Sequence, residues 1–437
     1  MSPAAQFRYW WVSRPGARVP DGWVPISEAD FSQAGIKGSR IESMAEPGDR
    51  MPAWAWDLLQ VARTAYVADK KSLRETAADN WTRTIHIDVP VRDPGAWEGR
   101  AEAVACELLQ TLTADQWHVT FQPASPTWTR QGRVIGNWKA AEVALFSGGL
   151  DSTAFAADLA KQPGEDALLV MFYDPATKSR QEVVFQEISA IRSRKMHRRI
   201  ASQMVLGRPL ELSSRSRGLL YLATAVYMAA AHGAPRVLLP ENGQLALNLP
   251  LSPSRPAACS TRSAHPRTLD LLNHLIIALG GDVTVTNPLA AMTKGEVCAL
   301  ALQAGLTSQT LFSTVSCSHP PHTRNAGHSF HCGYCYACLV RRSGLCHALG
   351  ADHTGYQHDP WHLPTKDTKT EDLLALLLWL NSPLTTTDLI ADIPLPGGTN
   401  PADLMPVLHR ARQELTTMLT SVLPENGPYR GGWQPKP

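Results

Sequence analysis

The sequence predicts an α/β fold whose core is a largely parallel sheet with helices on both faces. Three observations carry this. Apolar runs at Val143–Phe146, Ala167–Tyr173, Arg236–Leu239 and Val283–Thr286 alternate with helical segments near 152–161, 180–193, 217–232 and 268–279. That rhythm belongs to strands joined by crossover helices. The first run leads through the paired glycines of Ser147-Gly148-Gly149 into a helical segment. Finally, a chain of 437 residues, 44% hydrophobic and 18% charged, can bury a large core and exceeds one average domain. The expected architecture is Rossmann-like and doubly wound, with ligands beyond the carboxyl ends of the strands.

Composition excludes several functional classes. A net charge of +2 is no footprint for tight nucleic-acid binding. The first residues lack the apolar region of a signal peptide, and the densest apolar run, Leu373 to Leu380, is too short to span a bilayer. A cytoplasmic protein without a membrane partner is expected. Its eight cysteines then act as free thiols, metal ligands or catalysts, not as structural disulfides.

Residues 1–138 read as an N-terminal α+β domain. Strands are expected at Phe7–Val12, Thr84–Val91 and Trp117–Gln122, with a helix over Ala96–Leu112. Between Trp54 and Leu73 the apolar residues Leu58, Val61, Ala62, Ala65 and Tyr66 are spaced for an amphipathic helix. Tryptophans at 10, 11, 23, 54, 56, 81, 97, 117, 128 and 138 supply large anchors for a core. Gln122 to Gly136, rich in proline and polar residues, suits a linker or hairpin.

Residues 139–350 hold the α/β rhythm. Phe146-Ser147-Gly148-Gly149-Leu150-Asp151-Ser152-Thr153 joins a strand to a helix. Paired glycines let backbone N–H groups approach an anion, and the helix start aims its free N–H groups at it. No Gly-Lys-Ser/Thr follows, so the loop is not of the Walker type. Three further stretches follow expected strand ends: Leu239 to Leu251 with Glu241, Asn242 and Asn248; Ser260 to Pro266 with Arg262 and His265; and Asn287 to Glu296. The first two read either as binding loops or as exposed turns that cap the next helix. In the third, Lys294 stands at a helix start against the dipole preference. A bound phosphate explains such a cation; an ordinary exposed lysine is the other reading.

Cys317, Cys332, Cys335 and Cys338 have the spacing of a closed tetrahedral Zn²⁺ site. An iron–sulfur cluster, a mixed site using His319, His322, His328 or His331, and uncoordinated thiols remain open. Cys106, Cys259, Cys298 and Cys346 read as ordinary buried residues. Residues 351–437 read as a helical appendage with amphipathic helices near 370–380 and 401–422 and a tail from Pro424.

The SGGxDS pattern after a first strand resembles the PP-loop of ATP pyrophosphatases, which cleave ATP to AMP and pyrophosphate while forming an adenylate. The order FSGGLDST, PLAAMTKGE, TVSC and CGYCYACLVRR resembles the QueC family, the 7-cyano-7-deazaguanine synthases, over about 140 to 350. That family uses ATP, ammonia and a zinc site to turn 7-carboxy-7-deazaguanine into a nitrile. The usual YPDCR-like element is absent, and ENGQLALNLPLSPSRPAACSTRSAHP stands in its place. With the N-terminal part, this resembles the QatC-type proteins of anti-phage defence operons.

The resemblance implies roles residue by residue. The residues from Phe146 to Thr153 bind ATP, with Ser147, Asp151 and Ser152 acting in catalysis and Asp151 helping to hold Mg²⁺. Lys294 neutralises leaving charge. Arg217 lies where the family has an arginine, but Gly218 follows it in place of asparagine. Cys317, Cys332, Cys335 and Cys338 hold Zn²⁺. Glu241, Asn242, Asn248, Arg262 and His265 are expected to line the pocket for a deazaguanine acid. The expected nucleophile is an amine, either ammonia or a group on a co-encoded partner protein. A tRNA-thiolating enzyme and a non-catalytic nucleotide-binding scaffold are the competing classes.

Overall fold

The computed structural model describes residues 6–13, 16–31, 51–124, 138–202, 204–251, 262–319, 331–430 and 433. Most of the expected linker at 122–136, together with Trp128, Cys259, Ser260, Thr261, His322 and His328, lies outside them.

Nine described strands form two parallel sheets. The first has the order β2-β1-β3-β4, from β1 (Gln6–Trp11), β2 (Val24–Ile26), β3 (Thr84–Val91) and β4 (Gln116–Pro123). All three of its strand pairs are parallel, so the N-terminal part is α/β and not α+β. The reason is the connections. Helix α1 (Ala53–Lys71) lies between β1 and β3, and α2 (Arg100–Thr113) between β3 and β4. Each crossover returns the chain to the same end of the sheet.

Helix α1 is not amphipathic in its surroundings. From Ala55 to Asp69 every residue is buried, because one side packs on β3 and another on α5 (Arg217–His232). Its buried aspartates are satisfied accordingly. Asp57 accepts from the Arg92 and Asp93 amides at 2.7 and 3.2 Å, and Asp69 pairs with Arg83 at 2.7 Å. Asp69 also accepts from the amide of Ser216 at 3.0 Å, which ties the N-terminal layer to the start of α5. Removing either partner would strand a buried charge.

The second sheet has the order β7-β6-β5-β8-β9, from β5 (Glu142–Leu145), β6 (Ala167–Phe172), β7 (Met196–Ala201), β8 (Arg236–Leu238) and β9 (Thr284–Thr286). Side chains alternate between its faces. Val143, Leu145, Leu168, Val170, Val237 and Val285 join α5, α7 (Pro266–Ala278) and α1 in one core that continues to the first sheet. Ala144, Leu169, Met171 and Leu238 face α3 (Leu150–Lys161), α4 (Lys178–Ser189) and α8 (Lys294–Gln303). Both faces are therefore covered by helices. Strand β7, sequence MHRRIA, is not among the expected strands: it is an edge strand with half-exposed central residues, so no apolar run marks it.

A third core joins α6 (Gly243–Leu247), α10 (Tyr336–Leu349), α11 (Glu371–Asn381) and α12 (Met405–Val422), while the short helix α9 (Ser308–Ser313) before the cysteines packs through Leu311 into the core it shares with α3, α4 and α8. The C-terminal helices thus pack against the loop after β8. Among the described residues, no helix is long and apolar enough to cross a membrane.

Candidate active site

In the second sheet the chain runs outward from β5 to β6 and β7, then crosses back to β8 and β9. Loops leaving β5 and β8 diverge at that reversal, which opens a crevice at the carboxyl ends of the strands. A cleft of about 590 Å³ lies there, lined by both loops, Lys294, Val315, Ser316, Ser318, His319, the second half of the cysteine loop and the start of α11.

The β5 loop forms one end. Gly148 has φ +75°, and a Cβ there would sit 2.7 Å from Cγ of Gln181, so only glycine fits. Gln181 holds the loop by donating to the Ser147 carbonyl at 2.8 Å. Gly149 caps α3 without a side chain, which leaves the first amides of the helix facing the cleft. The Gly149 amide donates to the Ser147 hydroxyl at 3.1 Å, and the Leu150 amide to the Ser316 hydroxyl at 3.2 Å. Ser147 and Ser152 hydroxyls meet at 3.1 Å. Amides held only by hydroxyl oxygens can exchange those partners for phosphate oxygens. Phe146 and Thr153 are buried and lie outside the cleft lining, so they shape the loop from behind.

Four polar groups meet beside this loop. Lys294, 2% exposed, places its ammonium 2.7 Å from Asp151 Oδ1. The Asn242 amide side chain donates to Asp151 Oδ2 at 2.8 Å. Glu241 hydrogen-bonds to the same carboxylate. Burial pushes Asp151 up, but the Lys294 charge and the hydrogen bonds from Glu241, Lys294 and Asn242 outweigh it and hold Asp151 below the usual carboxylate range. Glu241 moves the other way, raised well above its ordinary value by burial and then by the Asp151 charge. The opposite shifts place a proton shared by the pair on Glu241 in preference to Asp151.

That assignment has a direct consequence. Glu241→Gln keeps a neutral donor beside Asp151 and is expected to change stability by less than about 1 kcal/mol at pH 7. Asp151→Asn strands the buried ammonium and is expected to cost about 3–5 kcal/mol. Thermal or urea unfolding of the two variants checks this; equal losses would overturn the proton assignment.

Lys294 opens α8 immediately after Thr293, whose hydroxyl accepts from the Glu296 amide at 3.2 Å in a capping box. The unfavourable position of a cation at a helix start is offset by the carboxylates around it: Asp151, Glu296 and Glu414 of α12, which accepts from the Gly295 amide at 3.0 Å. The lysine stem lies against Gly344 of α10, where any Cβ would overlap it.

The cysteine segment forms the neighbouring part of the wall, joined to the glycine loop where the Val315 amide donates to the Gly148 carbonyl at 3.3 Å. The sulfurs of Cys317, Cys332, Cys335 and Cys338 all lie within 4.8 Å of one another. The Cys332 amide donates to Cys317 Sγ at 3.3 Å and the Cys335 amide to Cys332 Sγ at 3.4 Å. Gly333, with φ +87°, makes the turn between them. Cys335 caps α10 and Cys338 lies in its first turn, where the helix dipole favours thiolates. Four convergent thiols held by backbone amides fit a zinc ion. Of the histidines kept as alternative ligands, His331 accepts from the Ser316 amide at 3.4 Å and His319 lies beside Tyr334. Neither joins the sulfur cluster, while His322 and His328 lie outside the described residues.

Residues 264–349 match the family model for QueC, described as queuosine biosynthesis protein QueC. No curated protein matches the chain. The QueC-like segment covers about a fifth of the chain and includes α8 with Lys294, all four cysteines and α10. The glycine loop at 146–153 lies outside it, and the Asp151–Lys294 pair joins the two.

The residues expected to line an acid pocket divide. Glu241 and Asn248 line the cleft, and Asn242 stands behind them as the cap of α6, accepting from the Leu245 amide at 3.2 Å. Arg262 and His265 lie elsewhere. Arg262 grips Asp392 at 2.8 and 3.0 Å and the Thr111 carbonyl at 3.0 Å, which ties α2 to the C-terminal segment. His265 caps α7 by accepting from the Arg267 amide at 3.1 Å. Burial, with the Arg262 charge, lowers its pKa to about 4 and keeps the ring a neutral acceptor. Arg217 begins α5 beside Tyr221, 5.9 Å from the ring centre, and is not in the cleft lining. Gly218 follows it because a Cβ would run into Ser263, in the turn that leads into α7. Arg262→Ala is therefore expected to cost about 3 kcal/mol of stability with KM for the acid unchanged, as denaturation and kinetics would show. A raised KM at full stability would return Arg262 to the substrate pocket.

Several site residues left no expectation in the sequence. Ser316 follows from its place beside Cys317 once that loop meets the glycine turn. Tyr336 accepts from Gln244 Nε2 at 2.8 Å through its hydroxyl, and its amide donates to Asp372 at 2.8 Å. Asp372 and Glu371 line the cleft from α11, in a region with no motif.

Proposed function

We propose that this protein is a Rossmann-like PP-loop ATPase acting as a carbon–nitrogen ligase on a 7-carboxy-7-deazaguanine-like acid. The observation that carries the reading is the Asp151–Lys294 pair at 2.7 Å, which places an SGGLDS loop and the QueC-like segment with its four cysteines in one cleft. A carboxylate is a poor acyl donor because oxide would have to leave. Attack of its oxygen on the α-phosphorus of ATP breaks the bond to the β-phosphate and makes AMP the later leaving group. The loop amides and Lys294 meet the charge that develops on pyrophosphate. An amine then attacks the acyl carbon, AMP departs, and the nitrogen loses a proton to leave an amide.

Asp151, with a second carboxyl beside it, fits a Mg²⁺ ion, which takes one or two carboxylates together with phosphates. That ion would draw charge from the phosphates. The zinc that Cys317, Cys332, Cys335 and Cys338 fit would brace the wall carrying Tyr334 and Tyr336.

We place the amine on a partner protein, in a defence role, because the ENG…STR…HP stretch departs from the QueC pattern and resembles that of defence-operon proteins. The QueC match itself favours a second reading, in which ammonia is the nucleophile and a second ATP dehydrates the amide to a free nitrile. Mass spectrometry of a reaction with Mg-ATP, 7-carboxy-7-deazaguanine and ammonia, with and without the neighbouring gene product, tests both. AMP with a mass increase on that protein supports the first reading; AMP with only a small nitrile supports the second. ATP bound without AMP formation would overturn both and favour a scaffold.

A further inference from the structure

We infer that Glu414, on the C-terminal helix α12, is a positioning residue for Lys294, and that α12 thereby completes the site for the departing pyrophosphate. The inference rests on the adenylation reading above. Glu414 is 5% exposed. One carboxylate oxygen accepts from the Thr293 hydroxyl and the other from the Gly295 amide at 3.0 Å, so the side chain clasps the residues on both sides of Lys294. Gly295 makes room for it: a Cβ there would overlap the Glu414 carboxylate and the His347 ring. One turn earlier, Arg410 binds Glu296 at 2.7 Å and the Ala291 carbonyl at 2.8 Å, which fixes the same helix start from outside.

A capping duty alone does not account for Glu414. Thr293 and Glu296 already form a capping box at that helix end. Burying a further carboxylate is unfavourable, and burial does push Glu414 above its ordinary pKa. Its contacts instead fix the backbone from which the lysine projects. Gly344 of α10 closes the other side of the stem. The lysine is thus held in a slot between α10 and α12, with its ammonium aimed at Asp151. Glu414 lies beyond the QueC-like segment at 264–349, so the C-terminal part of this chain supplies it.

The test is a double-mutant cycle on Glu414→Ala and Lys294→Ala, with Glu414→Gln as the conservative variant. AMP formation and pyrophosphate affinity by calorimetry are measured on full-length protein with zinc content confirmed. Glu414→Ala is expected to lower kcat about tenfold to a hundredfold, the scale of a small misplacement of a catalytic group. KM for the acid should stay unchanged, Glu414→Gln should recover most of the rate, and the double variant should be no slower than Lys294→Ala. Losses that multiply in the double variant, or full activity in Glu414→Ala, would overturn the inference. Should wild type form no AMP, the adenylation reading fails by itself. Pyrophosphate affinity then decides the inference: about tenfold weaker binding in Glu414→Ala supports it, and equal or absent binding in both proteins refutes it.

Discussion

Lys294→Ala is expected to reduce pyrophosphate release by about two to three orders of magnitude, the scale measured when one preorganised charge-stabilising group is removed. Lys294 is the only lysine or arginine among the described residues lining the cleft, so no neighbour replaces it. Its ammonium is buried and fixed in place by Asp151 at 2.7 Å, so it carries little hydration to shed when it meets a phosphate. Lys294→Arg should not rescue the rate. The stem runs against Gly344 with no space for a wider group, and a guanidinium would not reproduce the ammonium geometry. Single-turnover release of pyrophosphate, with the acid and Mg-ATP both saturating, separates this loss from weaker binding. A variant within tenfold of wild type would remove Lys294 from the chemistry.

Cys335→Ser is expected to abolish metal binding and to lower the unfolding temperature by about 10 °C or more. Apparent binding free energies of structural zinc reach about 10–16 kcal/mol, and that energy is folding energy. Cys335 sits at the start of α10, so losing the knot frees the helix end that carries Tyr336. The effect then travels along α10 to Gly344 and the Lys294 stem, which explains why a site without reactive chemistry of its own should also silence AMP formation. Metal content of the native protein by mass spectrometry is expected to fall from one zinc to none. Retention of a full equivalent of zinc with normal stability would show that three cysteines and another ligand suffice.

These expectations depend on features legible in the sequence to different degrees. Helix α5 was readable because its apolar residues recur at helical spacing and Gly233, with φ +68°, ends it. The glycine loop was readable because its conformation is local: Gly148 needs a positive φ whatever surrounds it. The cysteines were readable because two of the spacings lie within one turn. By contrast, β7 is basic and sits on an edge, and helix α1 has the spacing of a surface helix although a second layer covers it.

What the sequence by itself determined is the alternation of strands and helices, the glycine turn after β5 and the cysteine quartet. Each depends on residues within a few positions of one another, where backbone geometry and ligand chemistry leave a pattern. What only the tertiary structure decided is which polar loops share a cleft. Glu241, Asn242 and Asn248 gather at the β5–β8 crevice, whereas Arg262 and His265 were drawn into ion pairing and helix capping on another face. The Asp151–Lys294 pair spans 143 residues and the Gly295–Glu414 contact 119. Contacts of that range arise from how the layers stack, and a single chain carries no periodic trace of them.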